Sequence, residues 1–119
     1  MNADIITIAA PSSVPGGEQV IFDVSVKNIS GSDQYIAVTG VYNSTSFPFQ
    51  FDYLLVSPGQ TVIFRGVFTM PSENARVTAW SWSWDGSVWV QDDQMTKDIA
   101  LAVSTPQVSE FQILDFSKV

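Results

Sequence analysis

The sequence contains no cysteine and no histidine. Disulfide bridges are thereby excluded. So are zinc sites built from those two residue types and the Ser–His and Cys–His pairs of nucleophilic catalysis. Basic residues are scarce: Lys27, Arg65, Arg76, Lys97 and Lys118 are scattered among twelve acids, for a net charge of −7. Displacing counterions from a phosphate backbone takes clustered Lys and Arg. Nucleic acid and anionic membrane surfaces are therefore not expected as partners. No apolar run is long enough to span a bilayer. The opening Met1-Asn2-Ala3-Asp4 lacks the basic and apolar regions of a signal peptide, so either the protein is not secreted by that route, as for a virion protein, or a signal lies outside this sequence. Charged residues are only 14% of the chain, well below the usual quarter. Ser, Thr, Gln and Asn fill the polar positions, a balance suited to extracellular, cell-surface or virion proteins.

The 119 residues fit one domain. Turn signals recur at short intervals: Pro11-Ser12-Ser13 with Pro15-Gly16-Gly17, Asn28 to Asp33, Asn43 to Ser46, Ser57-Pro58-Gly59, Pro71 to Asn74, and Asp85-Gly86. Between them lie β-rich runs, and no segment carries a sustained helical stripe. Val20, Phe22, Val24 and Val26 alternate with Asp23, Ser25 and Lys27. Val62, Phe64, Gly66 and Phe68 alternate with Thr61, Arg65 and Thr69. Period-two patterning turns the first set of each inward, against a facing sheet. Strands are predicted over 4–9, 19–27, 34–42, 48–56, 60–69, 76–84, 88–93 and 96–103. The expected fold is all-β, an immunoglobulin-like antiparallel β-sandwich of seven to eight strands over residues 1–104. An apolar C-terminal tail follows at 105–119.

Three stretches carry a family resemblance. Pro11-Ser12-Ser13-Val14-Pro15-Gly16-Gly17-Glu18-Gln19-Val20, running into Phe22-Asp23-Val24-Ser25-Val26-Lys27-Asn28, resembles the opening of CARDB-type adhesion modules. Leu55-Val56-Ser57-Pro58-Gly59-Gln60-Thr61-Val62-Ile63-Phe64 repeats the pattern of Pro-Gly followed by an alternating strand, and Phe68-Thr69-Met70-Pro71 is similar to the closing unit. The resemblance spans roughly residues 4–103. It implies an immunoglobulin-like module of prokaryotic surface proteins or of viral structural proteins, with no catalytic residues; separately, no cofactor is expected. The Trp-rich hairpin near residue 84 departs from it.

That hairpin is the most unusual local feature. Trp80, Trp82 and Trp84 alternate with Ala79, Ser81 and Ser83, and Asp85-Gly86 signals a two-residue turn. With that loop Trp82 faces Trp89 across the strands. The expected place for these rings is the core or a subunit interface. The alternative is an exposed platform on which sugar rings stack, because Val77 and Ala79 lie opposite and could be the inward positions.

The tail carries Val108, Phe111, Ile113, Leu114, Phe116 and Val119. It is expected either to pack back on its own domain as an extra strand or to dock on another subunit by strand addition. Asn28-Ile29-Ser30 and Asn43-Ser44-Thr45 are sequons in expected loops, making Asn28 and Asn43 candidate glycosylation sites. Asp92 and Asp93, with Asp85 nearby, read as solvated loop carboxylates, with a calcium site as the sharper alternative.

The expected role is a non-catalytic structural or adhesion module of a virion surface, cell surface or extracellular filament. It acts through protein contacts, by self-association or with neighbouring domains or subunits. A carbohydrate-binding module using the Trp hairpin is the alternative. The assigned inward faces have a direct test: Phe22→Ala or Phe64→Ala should lose about 3–5 kcal/mol in urea denaturation. A loss under about 1 kcal/mol would mean the faces are reversed.

Overall fold

A computed structural model describes residues 1–103. Its nine strands are β1 (Ala3–Ala9), β2 (Ser13–Pro15), β3 (Gln19–Asn28), β4 (Gln34–Tyr42), β5 (Thr45–Ser46), β6 (Leu54–Val56), β7 (Thr61–Thr69), β8 (Ala75–Trp84) and β9 (Trp89–Ala102). They form two sheets, the arrangement of an immunoglobulin-like β-sandwich. One sheet has three strands in the order β1-β3-β7. The other has the order β2-β9-β8-β4-β5, with β6 also paired to β4.

The inward residues are those the alternation selects. Val20, Phe22, Val24 and Val26 of β3 are buried, as are Phe64 and Phe68 of β7, while Ile21 and Ile63 face solvent. From the facing sheet Ile36, Val38, Val77, Ala79 and Ile99 close the core.

Three elements differ from the sequence-based expectation. The segment around Pro11 to Gly17 is not turn throughout. After β1 the chain changes sheets, and β2 pairs in parallel with the end of β9, Ser13 opposite Ala100 and Pro15 opposite Ala102. The predicted strands 88–93 and 96–103 are one strand, β9, which keeps its pairing with β8 through a bulge. Ser81 pairs with Asp93 and Trp82 with Gln91, which leaves Asp92 as the extra residue.

The predicted strand 48–56 exists only at its end, as β6. Ahead of it, the connection from β5 crosses to the other sheet, where Phe49 bridges Gly66 and the Gln50 amide donates to the Arg65 carbonyl at 2.9 Å. Pro48 has no N–H to give a ladder. The Phe47-Pro48-Phe49 alternation serves to drive two rings into the open side of the sandwich rather than to extend a strand.

Those rings need space, and two glycines supply it. A Cβ at Gly66 would lie 2.5 Å from Phe22 Cζ and 2.9 Å from the Phe47 ring. One at Gly40 would lie 2.9 Å from Phe47 Cζ and 3.2 Å from the Phe49 ring. Phe22 and Phe47 meet edge-on at 5.3 Å between centroids, a favoured aromatic geometry. Tyr42 stacks on Phe68 at 4.3 Å.

The buried volume is therefore filled from a loop, and overpacking it should be costly. Gly66→Ala is expected to lose about 1–3 kcal/mol of stability, read as a lower urea midpoint. Gly31→Ala, where nothing lies within 4 Å of the added Cβ, serves as the silent control.

Candidate functional site

The placement of the tryptophans follows from what lies beneath β8. Ala75, Val77, Ala79, Ser81 and Ser83 point inward and are buried. Below them runs β1. The Ser81 hydroxyl donates to the Ala3 carbonyl, and the Asn2 amide donates to Ser83 Oγ at 3.2 Å. Strands joined this closely leave room only for small side chains. Trp80, Trp82 and Trp84 therefore occupy the outer face of the six-stranded sheet. Of the expected places, core or subunit interface, the core is corrected: the rings of β8 lie on the outer face.

The register of the hairpin also differs. Its loop has four residues, Asp85–Val88, so Trp84 pairs with Trp89 and Trp82 with Gln91. Asp85 sets this loop: its Oδ1 accepts the Val88 and Ser87 amides, both at 2.8 Å, and its own amide donates to the Val88 carbonyl. The amides of Val88 and Ser87 hold the Asp85 carboxyl below the usual aspartate range. Gly86 takes the positive φ of 101° that the loop requires.

Trp80 and Trp82 are pinned along the face. The Trp80 indole donates to Gln94 Oε1 at 3.1 Å and the Trp82 indole to Thr39 Oγ1 at 2.8 Å. Trp84 and Trp89, 36% and 38% exposed, lie 5.5 Å apart between ring centroids at 60°. Two further rings join them. Tyr35 precedes Ile36, whose partner is Ser83, so it falls beside Trp84 on the outer face. Tyr53, from the connection ahead of β6, lies 5.7 Å from Tyr35 and 6.1 Å from Trp89. Tyr35, Tyr53, Trp84 and Trp89 line an open cavity of about 260 Å³. Next to it Tyr53 and Trp89 share a second depression with Ala37, Thr39, Asp52 and Trp82.

Tyr35 and Tyr53 were not singled out by sequence reasoning. The alternation of Ile36 and Val38 in β4 already assigns Tyr35 outward. No local signal reports Tyr53, which reaches the site through the crossover.

The other candidates fall elsewhere. Phe111, Ile113, Leu114 and Phe116 lie outside the described residues, as does the whole tail 105–119. Asn28 is not in a loop: it ends β3 and is fully buried. Its amide donates to the Ser32 and Val56 carbonyls at 2.8 and 2.9 Å, and its Oδ1 accepts from Ser30 N and Oγ. The folded domain has no room for a glycan there. Asn43 is exposed in the two-residue β4–β5 turn with φ of 55°. Its Oδ1 accepts the Arg76 amide at 3.0 Å and its side-chain amide contacts Glu73.

Asp92 and Asp93 are neither loop residues nor gathered around a cation position, and among the described residues no group of three acids could hold a metal. They cap the free edge of β1. Asp92 accepts the Ala3 amide at 3.0 Å and Asp93 the Ile5 amide at 2.9 Å. The bulge at Asp92 is what brings consecutive carboxylates to bear on that edge. Asp4 lies close to Asp93, and its carboxyl is raised above its ordinary value of 3.8 by desolvation first and then by Asp93.

No family model matches the sequence, and no curated protein sequence matches it. Solved structures do share its fold. The CARDB domain of a Pyrococcus furiosus protein, crystallised in complex with di-metal ions, superposes with a TM-score of 0.68 at 18% identity, over 87% of this chain and 96% of that one. Native alpha-2-macroglobulin from Escherichia coli, from domain MG7 to the C-terminus, gives 0.65 at 16% identity over 89% of this chain and 18% of that one. A FixG-related protein from Vibrio parahaemolyticus gives 0.62 at 10% identity, over 87% and 99%. The chain has a CARDB-like β-sandwich fold.

The cost of charging Asp4, from desolvation first and then from Asp93, has a pH signature. A carboxyl whose folded value is raised favours the protonated native state, so its contribution is present at low pH and lost as pH rises through that value. Asp4→Asn should therefore raise the urea midpoint at pH 7, with the gain fading as the pH falls through the raised value and gone below about 3.8. An equal gain at pH 7 and at a pH below 3.8 would rule out the charge on Asp4 as its source.

Proposed function

We propose that this chain is a non-catalytic module that works by contact with other proteins through the outer face of its six-stranded sheet. It would serve as a structural or adhesive element of a virion surface, a cell surface or an extracellular filament. One observation carries the reading: Tyr35, Tyr53, Trp84 and Trp89 stay partly exposed together on one face. Aromatic rings are enriched where proteins meet and are rarely left in contiguous exposed patches without a use.

The acids support it from the other side. Asp23 pairs with Arg65 at 3.0 Å and Asp98 with Arg76 at 2.8 Å. Asp92 and Asp93 cap β1, and Asp85 builds its turn. These carboxylates are occupied by structure, and no two of them face each other across a cleft as acid–base hydrolysis requires. The CARDB-like fold agrees with a module role, although a sandwich hosts many functions. Carbohydrate binding is the second reading, favoured by indole rings exposed beside Asp52 and Thr39.

Sedimentation of the full chain over a concentration series tests the proposal. The wild type should gain mass with concentration. Tyr53→Ser/Trp89→Ser should remain monomeric with an unchanged circular dichroism spectrum. Equal association of the two proteins would remove this face from the contact.

A further inference from the structure

The four rings around the 260 Å³ cavity do not make a flat surface. Tyr35 and Tyr53 meet at 84°, Trp84 and Trp89 at 60°, and Tyr53 and Trp89 at 48°. A pyranose stacks on one plane. Rings inclined to one another wall a hollow rather than a plane, and a hollow lined by four aromatic rings suits a compact cation.

The charge around the cavity agrees. Its lining holds no Lys or Arg. Asp52 lines the depression that shares Tyr53 and Trp89 with it. Asp85 opens the turn directly after Trp84, and its carboxyl is held ionised by the Val88 and Ser87 amides. The chain as a whole carries −7, a field that concentrates cations and repels anions. A strongly hydrated ammonium would lose its water on entering an apolar box. A quaternary ammonium has little water to lose and spreads its charge over methyl groups that fit against ring faces.

We propose that Tyr35, Tyr53, Trp84 and Trp89 form an aromatic cage for the quaternary ammonium group of a free, choline-type small molecule, with Asp52 supplying the nearby negative charge. The inference rests on the reading that the outer face is the recognition surface. It does not require that this face also join copies of the chain.

The cage is built from both sheet and crossover. Trp84 and Trp89 are fixed by their pairing across the hairpin and Tyr35 by β4. Tyr53 comes from the connection ahead of β6 and is 55% exposed. Its removal opens one wall and leaves the ladders intact.

Choline and tetramethylammonium chloride should be titrated into the full chain at a concentration where it is monomeric, so that failure of self-association and failure of binding stay separate. Saturable shifts of the Trp84 and Trp89 indole N–H resonances are expected, with fluorescence quenching. The neutral isostere of choline, with carbon in place of the quaternary nitrogen, should bind at least about tenfold more weakly. Tyr53→Ala should lose about tenfold in affinity and Trp89→Phe less, with backbone spectra otherwise unchanged. Asp52→Asn should lose about threefold, and added salt should weaken the wild type more than this variant.

Equal binding of the neutral isostere would make the cavity merely apolar and overturn the proposal. So would an absence of saturable shifts with either cation, or binding of a gluco-oligosaccharide in their place. Tighter binding of a trimethyl-lysine peptide than of choline would overturn the assignment to a free small molecule.

Discussion

A β-strand buries one face, and which one depends on the gap beneath it. Under β8 that gap is set by β1, tied to it by the Ser81 hydroxyl on the Ala3 carbonyl and by Asn2 on Ser83. With its hydroxyls bonded to that neighbour, β8 turns Ala79, Ser81 and Ser83 inward. The rings must then face outward, and everything proposed for the outer face depends on that orientation. The same arrangement leaves two β1 amides pointing toward β9. The Asp92 bulge answers them with two consecutive carboxylates, which also blunts an edge otherwise open to strand addition.

The opposite side of the sandwich solves the reverse problem. There the sheets leave more space than the strands can fill, and Phe47 and Phe49 enter from the crossover to occupy it, against Phe22 and over Gly66 and Gly40. Small side chains line the core where β1 lies under β8, and phenylalanines fill it on the other side. The crossover that fills that other side then continues to Tyr53. One connection thereby completes the core and lends a ring to the outer surface, linking packing to recognition through a few residues of irregular chain.

Much of this was legible in the sequence, for reasons local to each strand. The alternation in β3 and β7 assigned Phe22, Phe64 and Phe68 inward because strand periodicity acts residue by residue. The CARDB-like likeness was visible in the Pro-Gly units that open β3 and β7. The face of β8 was ambiguous, since both of its alternating sets could be buried. Only the distance to β1 decides between them, and that distance depends on residues some 78 positions away. The hairpin register was missed because Asp85-Gly86 also fits a four-residue loop once Asp85 accepts two amides. Asn28 looked like a loop sequon because nothing in Asn-Ile-Ser reports burial. Tyr53 carried no signal, because its place depends on a non-local crossover.

The short parallel pairing of β2 with β9 adds a mechanical property. Ser13, Val14 and Pro15 run alongside Ala100, Leu101 and Ala102 in the same direction. Tension reaching β2 from its N-terminal side and β9 from its C-terminal side drags the two strands past each other. Their hydrogen bonds are then strained together, as in a lap joint, rather than opened in turn like a zip. A clasp of three residue pairs in that geometry resists stretching well beyond what its length suggests.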